Sequence, residues 1–468
     1  MKSGLPKSWL TVPLAEIAEI NPRHAKELDD SIPVSFATMA ALNENKPVFQ
    51  FLEERPLGTV RKGFTHFAEG DVLFAKITPC MENGKGAVAI GLRNGLGCGT
   101  TEVHVLRPLA GMNPHYIYRF LAQPMIRREA KENFTGTAGQ ARVPTTFVEQ
   151  LEMPLPPLTE QLRIVAKLEK ILSKLDECQK RLEKIPIILK RFRQSFLAAA
   201  CSGRLTADWR KKKSPKLKIV EDDLPAGWRS VCVGDVIQSL KYGTAQKCGY
   251  EKRGVPVLRI PNVINGVIDH SDLKYAKLPP KEFEQLRLKS GDILLIRSNG
   301  SVSLVGKCAL VRKQELDFAY AGYLIRIRPE ENTIASEFLN LVLSSYDIRL
   351  QIELEARSTS GVNNINSEEV KALHFLLPPL GEQREIICRV EALFAQVNKI
   401  ETRYTKAKVQ VDKLTQSILS KAFRGELVPQ NPNDEPTEKL LERIRTLKNQ
   451  SESTPIKRNQ KVNTHARV

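Results

Sequence analysis

The sequence predicts an α+β fold in which two mixed α/β domains with small, curved sheets alternate with two long helices. Three observations support this class. The chain has 468 residues, which is too long for one hydrophobic core. An internal repeat begins twice with a proline-broken phrase and continues each time as a helix-like run. Short runs of alternating apolar and polar residues, separated by Gly and Pro, precede each copy and are typical of strands.

The repeat is the clearest feature of the sequence. The phrase "LPPLTEQ" occupies residues 155–161, and "LPPLGEQ" occupies residues 377–383. Residues 155–205 align with residues 377–427 without a gap, and 16 of the 51 positions are identical. This identity at a constant offset of 222 indicates a duplication within the chain.

Apolar residues recur in both copies at alternating spacings of four and three, which is the period of a coiled-coil seam. One helix alone would leave its seam in water, so we expect the two helices of the chain to close on each other. Dimerisation through the seam with a second molecule is the alternative. The predicted seam residues are Ile164, Leu168, Ile171, Leu175, Leu182, Leu189, Ile386, Val390, Leu393, Val397, Ile400 and Leu414.

The ends of the two helices are predicted from proline and glycine. Each helix is expected to start just after its LPPL and to end near Gly203 or Gly425, which suit a left-handed cap. Pro186 stands inside the first copy, where it should kink or split the helix.

Fainter echoes precede the helices: "EGDVLFAKI" at residues 69–77 matches "SGDILLIRS" at 290–298, and "TAGQARVP" matches "TSGVNNIN". The order of segments is therefore domain, helix, domain, helix. The tail offers one short helix and is then expected to be disordered. The predicted boundaries are 1–154 for the first domain, 155–203 for the first helix, 204–223 for a charged linker, 224–376 for the second domain, 377–428 for the second helix and 429–468 for a polar tail.

The net charge of +18 favours a polyanionic partner, nucleic acid above all. Most of the excess lies in the two helix-containing segments, at +8 for residues 155–223 and +6 for residues 377–468; the domains carry +1 and +3. The eight cysteines and seven histidines lack the spacing of a metal site, so no metal is expected. The chain contains neither a long apolar run nor an export signal at its start, which predicts a cytoplasmic protein.

The paired LPPL openings, "RLEKIPIILKRFRQSFLAAACSGRLT" at 181–206, "LTQSILSKAFRGEL" at 414–427 and the "GDVLFAK" and "GDILLIR" segments resemble the specificity (S, HsdS) subunits of type I restriction-modification systems. The resemblance covers nearly the whole chain and is closest in the helices. It implies that each domain is a target recognition domain for half of a split, asymmetric DNA site. It also implies an antiparallel intramolecular coiled coil with pseudo-two-fold symmetry between them.

The resemblance further implies double-stranded DNA, two methyltransferase (M) subunits and two restriction (R) subunits as partners. S-adenosylmethionine, ATP and Mg²⁺ would bind those partners, so this chain would hold no cofactor and no catalytic residue. Paired helices acting as a spacer would fix the distance between half-sites, and shorter helices should shorten it.

Polar residues in loops that follow predicted strands are the candidates for DNA contact, because their side chains can bond bases or phosphate oxygens. They are Lys76, Thr78, Asn83, Lys85, Thr137, Gln140, Arg142, Arg259, Asn262, Arg297, Ser298, Asn299, Ser301, Lys307, Ser358, Thr359, Asn363 and Asn364.

Two other functions remain as alternatives. A stand-alone, type II-like restriction-methyltransferase component would need a catalytic signature, but the sequence has no Asn/Asp-Pro-Pro-aromatic loop and no GxxxxGK[ST] loop. An adaptor without DNA contact would need neither of these catalytic signatures. Only its partner proteins and a test of DNA binding would distinguish it from a DNA-recognition subunit.

Overall fold

A computed structural model describes residues 4–44, 46–137, 140–213, 224–264, 266–355, 357–359 and 362–452. Residues 214–223 of the predicted linker and residues 453–468 of the predicted tail lie outside the described ranges. The chain divides into two compact units, residues 1–182 with 406–468 (unit 1) and residues 183–405 (unit 2).

The first domain, in unit 1, contains eleven strands among its described residues, arranged in two sheets and one pair. One sheet has the order β2-β10-β7-β8-β4, the other has the order β5-β3-β9-β6, and β1 pairs with β11. The strands are β1 Leu10–Pro13, β2 Ala18–Ile20, β3 Pro33–Ala37, β4 Asn43–Glu44, β5 Glu53–Pro56, β6 Thr65–Ala68, β7 Val72–Ala75, β8 Lys85–Val88, β9 Leu96–Gly99, β10 Val103–Pro108 and β11 Glu152–Leu155. The helices are α1 Leu14–Ile17, α2 Leu57–Val60, α3 Pro114–Leu121, α4 Pro124–Glu132 and α5 Thr145–Gln150.

The long helix α6, Leu158–Cys201, follows, and then a short basic helix α7, Ala207–Lys213. The second domain, in unit 2, is built from the sheets β13-β20-β16-β18, β15-β14-β19 and β17-β22-β21 and the pair β12-β23. Its strands are β12 Arg229–Cys232, β13 Ile237–Tyr242, β14 Val255–Leu258, β15 Lys274–Ala276, β16 Ile293–Ile296, β17 Ser298–Asn299, β18 Cys308–Leu310, β19 Ala319–Tyr320, β20 Leu324–Pro329, β21 Arg357–Thr359, β22 Val362–Asn364 and β23 His374–Leu377. Its helices are α8 Ile260–Val263, α9 Pro280–Leu286, α10 Ser336–Leu343, α11 Tyr346–Glu355 and α12 Ser367–Lys371, before α13 Leu380–Ala422 and α14 Thr437–Glu452.

The aspartates of the two echoed "GD" segments make the same contact in both domains. Asp71 is 1% exposed and accepts two hydrogen bonds from Arg107, at 3.0 and 2.9 Å. Asp292, also 1% exposed, accepts two from Arg328, both at 2.7 Å. Each pair links the start of the central strand to its neighbour in the sheet, since β7 pairs with β10 and β16 pairs with β20. The duplication therefore preserves a buried ion pair at the base of each sheet.

The two long helices are antiparallel, as their partners within each unit show. In unit 1, the start of α6 packs with the end of α13, and Leu168 and Ile418 lie in one apolar core. In unit 2, the end of α6 packs with the start of α13, and Ala200 and Val390 share a core. The resemblance predicted this intramolecular pairing.

The predicted seam residues differ in burial. Ile164, Leu168, Leu175, Leu189, Ile386, Val390 and Val397 are buried, and Ile171, Leu182 and Leu393 are half-buried. Ile400 and Leu414 were wrongly assigned to it, because they are 44% and 48% exposed. A straight helix drifts by about 20° per heptad relative to a 3.5-residue repeat, so a strict repeat does not stay on one face. At Pro186, which was predicted to kink or split the helix, α6 continues and is not split.

The repeated EQ dipeptides explain why the LPPL phrase occurs twice. In unit 1, Glu160 accepts a hydrogen bond from the indole of Trp9 at 3.0 Å, and in unit 2 Glu382 accepts one from Trp228 at 3.0 Å. The neighbouring Gln161 donates to the Pro156 carbonyl at 3.1 Å, and the equivalent Gln383 donates to that of Pro378 at 2.9 Å. Each phrase therefore fastens a helix start to the domain that precedes it.

A glycine completes each of these arrangements. Gly425, after α13, has a φ of +75°, and a Cβ there would lie 2.3 Å from Pro6 Cγ and 3.4 Å from Trp9. Gly203, after α6, has a φ of +76°, and a Cβ there would lie 2.9 Å from Pro225 Cγ and 3.1 Å from Trp228. We call Trp9, Glu160 and Gly425 the first junction, and Trp228, Glu382 and Gly203 the second junction. Each junction joins a domain, the start of one long helix and the end of the other.

Ion pairs reinforce both junctions. Arg163 binds Asp434 at 3.0 and 2.5 Å in unit 1, and Arg389 binds Asp208 at 2.6 and 3.0 Å in unit 2. The Arg389 guanidinium lowers the pKa of Asp208 to about 2. In unit 1, burial is the main reason that the pKa of Glu160 is raised above its ordinary value. Within the described ranges, none of the helices combines the length and apolar composition that crossing a bilayer requires.

Candidate nucleic-acid interface

The structure brings together the two loop regions that the sequence selected in the first domain. The segment after β7 runs beside residues 141–143, because Thr78 N–H donates to the Ala141 carbonyl at 3.1 Å. The Val143 N–H donates to the Lys76 carbonyl at 2.9 Å, and Ile77 forms an isolated bridge with Arg142. The two loops therefore form one continuous surface.

The second domain repeats this backbone arrangement at equivalent positions. The Ile365 N–H donates to the Arg297 carbonyl at 2.9 Å. Strand β17 pairs with β22, so that Ser298 lies opposite Asn364 and Asn299 lies opposite Asn363. Two further candidates, Ser358 and Thr359, lie in β21, which pairs with β22 on its other side.

A third segment completes the arrangement in both domains. The Lys76 N–H donates to the Glu102 carbonyl at 3.0 Å, and the Arg297 N–H donates to the Tyr323 carbonyl at 2.9 Å. We call these three backbone segments the repeated frame. At matching positions it displays Lys76, Glu102 and Arg142 in the first domain and Arg297, Tyr323 and Asn364 in the second domain. The backbone is the same, whereas the side chains differ in charge, size and hydrogen-bonding groups.

In the first domain the strongest contact of the frame is internal. Arg142 forms a two-fold hydrogen bond to the Glu102 carboxylate at 2.8 and 3.0 Å, which lowers the pKa of Glu102. Thr78 donates to Glu82 at 2.6 Å, and Glu82 also contacts Lys131. Several polar side chains of this surface are therefore already hydrogen-bonded to one another.

The remaining candidates of the first domain differ in exposure. Thr137 and Gln140 are exposed, and the Gln140 N–H donates to the Thr137 carbonyl at 3.0 Å. Lys85 is half-buried and donates to the Met39 carbonyl at 3.3 Å, and Asn83 donates to Glu44 at 3.4 Å.

In the second domain, Arg297 has neutral partners. Its Nη2 donates to Asn364 Oδ1 at 3.2 Å, and its guanidinium carbon lies 4.6 Å from the centre of the Tyr242 ring. Asn363 donates to the Gly300 carbonyl at 3.1 Å. Lys307 and Ser301 are exposed.

Two candidates have structural roles instead. Asn262 is 1% exposed; it donates to the carbonyls of Asp269 and Asp272, at 2.8 and 3.1 Å, and accepts from the Arg259 N–H. Arg259 itself binds Asp272 at 2.7 Å. These side chains therefore hold a loop of the second domain together.

Three residues at the interface were missed by sequence reasoning: Glu102, Tyr323 and Tyr242. Glu102 and Tyr323 precede strands that were recognised for their apolar residues, so their own polarity carried no separate signal. The echo of "LRP" at 106–108 by "IRP" at 327–329 was the available clue, because counting back from both phrases pairs Glu102 with Tyr323.

A buried histidine supports the frame of the first domain. His104 is 2% exposed, and its Nε2 donates to the Val143 carbonyl at 2.8 Å. Burial lowers the pKa values of His104, His24 and His115, all in unit 1, below the ordinary value of 6.5. The folded chain therefore resists protonation at these three positions.

This resistance predicts that unit 1 loses stability in mild acid. The unfolded chain binds protons near pH 6.5 while the folded chain does not, so stability is complete above pH 6.5 and decreases as the pH falls below it. We expect a loss of at most about 1.4 kcal/mol per pH unit for each histidine. Thermal unfolding between about pH 7.5 and about pH 5.5 measures it. The His104→Gln variant should show a shallower decrease, and a melting temperature that rises in acid would contradict the prediction.

Among the described side chains, no group of three or more His, Cys, Asp or Glu residues is placed to hold a metal ion. The interface instead offers hydrogen-bond donors and acceptors on two frames. Together, fold and frames define a two-domain recognition protein with two unlike surfaces. The chain matches the family model described as the type I restriction modification DNA specificity domain twice, over residues 6–187 and 225–410.

The chain therefore belongs to the type I restriction-modification specificity subunits, which are non-catalytic DNA-recognition subunits. It is 36% identical over 325 residues to the StySPI specificity subunit of Salmonella potsdam, covering 69% of this chain and 68% of that protein. It is 35% identical over 327 residues to the EcoKI specificity subunit of Escherichia coli K12, covering 70% and 68%.

Solved structures of this kind share the fold. A structure from work on the assembly and conformational transition of a type I restriction-modification system matches with a TM-score of 0.70 and 22% identity, covering 90% of this chain and 99% of that chain. The HsdS subunit of Thermoanaerobacter tengcongensis matches with a TM-score of 0.58 and 22% identity, covering 90% and 98%.

Proposed function

We propose that this chain recognises a bipartite, asymmetric DNA site, with one half contacted by residues 1–154 and the other by residues 224–376. The observation that carries the proposal is the repeated frame. One backbone arrangement displays Lys76, Glu102 and Arg142 in one domain and Arg297, Tyr323 and Asn364 in the other. Equal backbones suit equivalent positions on a duplex, whereas unequal side chains suit unequal sequences.

The proposed contact residues differ in how they would act. Arg142, paired with Glu102, suits a fixed position in the groove, while exposed Thr137, Gln140 and Lys307 suit contacts to bases or phosphates. The remaining proposed contacts are Thr78, Asn83, Lys85, Ser298, Asn299, Ser301, Ser358, Thr359 and Asn363.

The helices are proposed to serve as spacer and docking surface. We propose that they bind two methyltransferase subunits, which recruit two restriction subunits, and that the spacer fixes the distance between half-sites. Exposed apolar side chains on α6 support docking: Ile187, Ile188 and Phe192 are 56%, 59% and 41% exposed. S-adenosylmethionine, ATP and Mg²⁺ would bind those partners, and the complex would act in the cytoplasm.

Methylation mapping tests the proposal. We expect the host genome to carry methylated adenines in one two-part motif with a constant gap, and this pattern to vanish when the gene is deleted. An uninterrupted motif, or a two-part pattern that survives deletion, would contradict the proposal. The catalytic alternative predicts methylation by the purified chain with S-adenosylmethionine alone, and the adaptor alternative predicts no change in the recognised sequence when the domains are altered.

A further inference from the structure

Arg297 differs from Arg142, the arginine of the first frame, in its partners. In the described part of the chain its side-chain partners are the Asn364 amide oxygen and the Tyr242 ring, and no carboxylate is bonded to it. Its Nε is buried without a hydrogen-bond partner. Charged groups removed from water are normally paired, so a half-buried guanidinium with neutral partners retains the capacity to bind an acceptor.

The first domain provides the contrast. Arg142 occupies the frame position equivalent to Asn364 and is neutralised by Glu102. The position equivalent to Arg297 is Lys76, which has one compact charged group instead of a planar fork. Of the two frames, that of the second domain presents the arginine without a bonded carboxylate.

Tyr242 is built to hold this guanidinium in place. Its ring lies 4.6 Å below the Arg297 guanidinium carbon, and its hydroxyl accepts a hydrogen bond from the Ser367 N–H at 2.9 Å. Asn364 fixes one edge of the guanidinium through Nη2. An aromatic face and one amide oxygen together orient the planar group, and in the described part of the chain Nη1 and the second hydrogen of Nη2 have no hydrogen bond.

We infer that Arg297 recognises a guanine in the half-site of the second domain, and that Tyr242 and Asn364 are its positioning residues. The inference rests on the proposed function and gives one base of the site. A guanidinium fork bonds O6 and N7 of guanine with two parallel hydrogen bonds in the major groove, and this is the commonest specific arginine contact to DNA. The exposed ring of Tyr323, 62% accessible, flanks the same position and would pack against the neighbouring base or sugar.

The test uses the full-length chain assembled with its methyltransferase subunits, on duplexes in which each base pair of the second half-site is varied in turn. The Arg297→Lys variant keeps the charge but loses the fork. We expect it to lose discrimination at one G·C pair by about 5- to 150-fold while its preferences elsewhere in the site remain. Tyr242→Leu should weaken discrimination at that same pair, and Tyr242→Phe, which keeps the ring, should restore it.

The matched control is Arg142→Lys in the first domain, which should leave preferences in the second half-site unchanged. Equal weakening of all duplexes by Arg297→Lys would assign Arg297 to a phosphate and overturn the inference, as would unchanged discrimination. A wild-type second half-site without a G·C pair would also overturn it and needs no variant. In each of these cases the two-part motif persists, whereas failure of the proposed function would abolish the two-part motif itself.

Discussion

Replacing residues 1–154 with the equivalent domain of another specificity subunit is expected to change one half of the recognised site and to leave the other half unchanged. The structure supplies a reason in unit 2, where the repeated frame of the second domain is built entirely from residues 297–365. Each backbone hydrogen bond described for this frame joins two residues of the second domain. Each base pair that no longer matches should cost about 1–3 kcal/mol, so three changed pairs reduce methylation of the old half-site by about a hundredfold or more.

The first junction decides how the exchange should be made. Trp9 bonds Glu160, and Gly425 packs on Pro6, so a donor domain must bring its own Leu-Pro-x-x-Trp segment or the recipient segment must be kept. The reciprocal exchange of residues 224–376 is the matched control and should change only the other half. Both exchanges are measured by sequencing methylated genomic DNA. If either one altered both halves, the assignment of one half-site to each domain would be wrong.

The helices were the part of the fold that the sequence predicted best. Their repeat is long and gap-free, and proline and glycine mark their ends. Local patterns of this kind predict a helix well, because a helix depends on contacts between residues three or four positions apart. The errors at Ile400 and Leu414 came from extending a 3.5-residue period along the whole helix, although the depth of each position depends on the opposing helix.

The interface was predicted as two sets of loops, and the structure joined them. No local pattern indicates that residues after β7 pair with residues 141–143, since this contact spans more than fifty positions of the chain. Asn262 shows that a residue can also be selected from the sequence for a surface role although it is buried. A polar residue in a predicted loop can complete a hydrogen-bond network inside the domain, and burial is a tertiary property that residue type does not reveal.

The glutamate of each EQ dipeptide was recognised only as part of a repeated phrase. Its partner is a tryptophan about 150 positions earlier, and the repeated "LPKSW" and "LPAGW" segments contained both tryptophans without indicating what they contact. The two residues of each contact were therefore visible in repeated segments of the sequence, but the contact between them became apparent only in the fold.

Trp228→Ala should lower the free energy of unfolding of unit 2 by about 3–5 kcal/mol. The side chain is 6% exposed, packs against Gly203 and donates its indole N–H to Glu382. Truncation leaves a cavity in the second junction and removes one donor from a buried carboxylate. Trp228→Phe keeps most of the ring and should cost less, about 1–3 kcal/mol, chiefly through the lost hydrogen bond.

Trp209 is the matched control, because it is half-buried on α7 and has Lys213 over its ring at 4.4 Å. Trp209→Ala should cost about 1 kcal/mol or less. Urea unfolding of the full-length variants measures the difference, and equal losses for the two alanine variants would show that the second junction contributes little.

Gly203→Ala tests the same junction at the residue that follows the end of α6. Its added Cβ would lie 2.9 Å from Pro225 and 3.1 Å from Trp228 at a φ of +76°, so it should also destabilise unit 2 if the glycine, the tryptophan and Glu382 act as one joint.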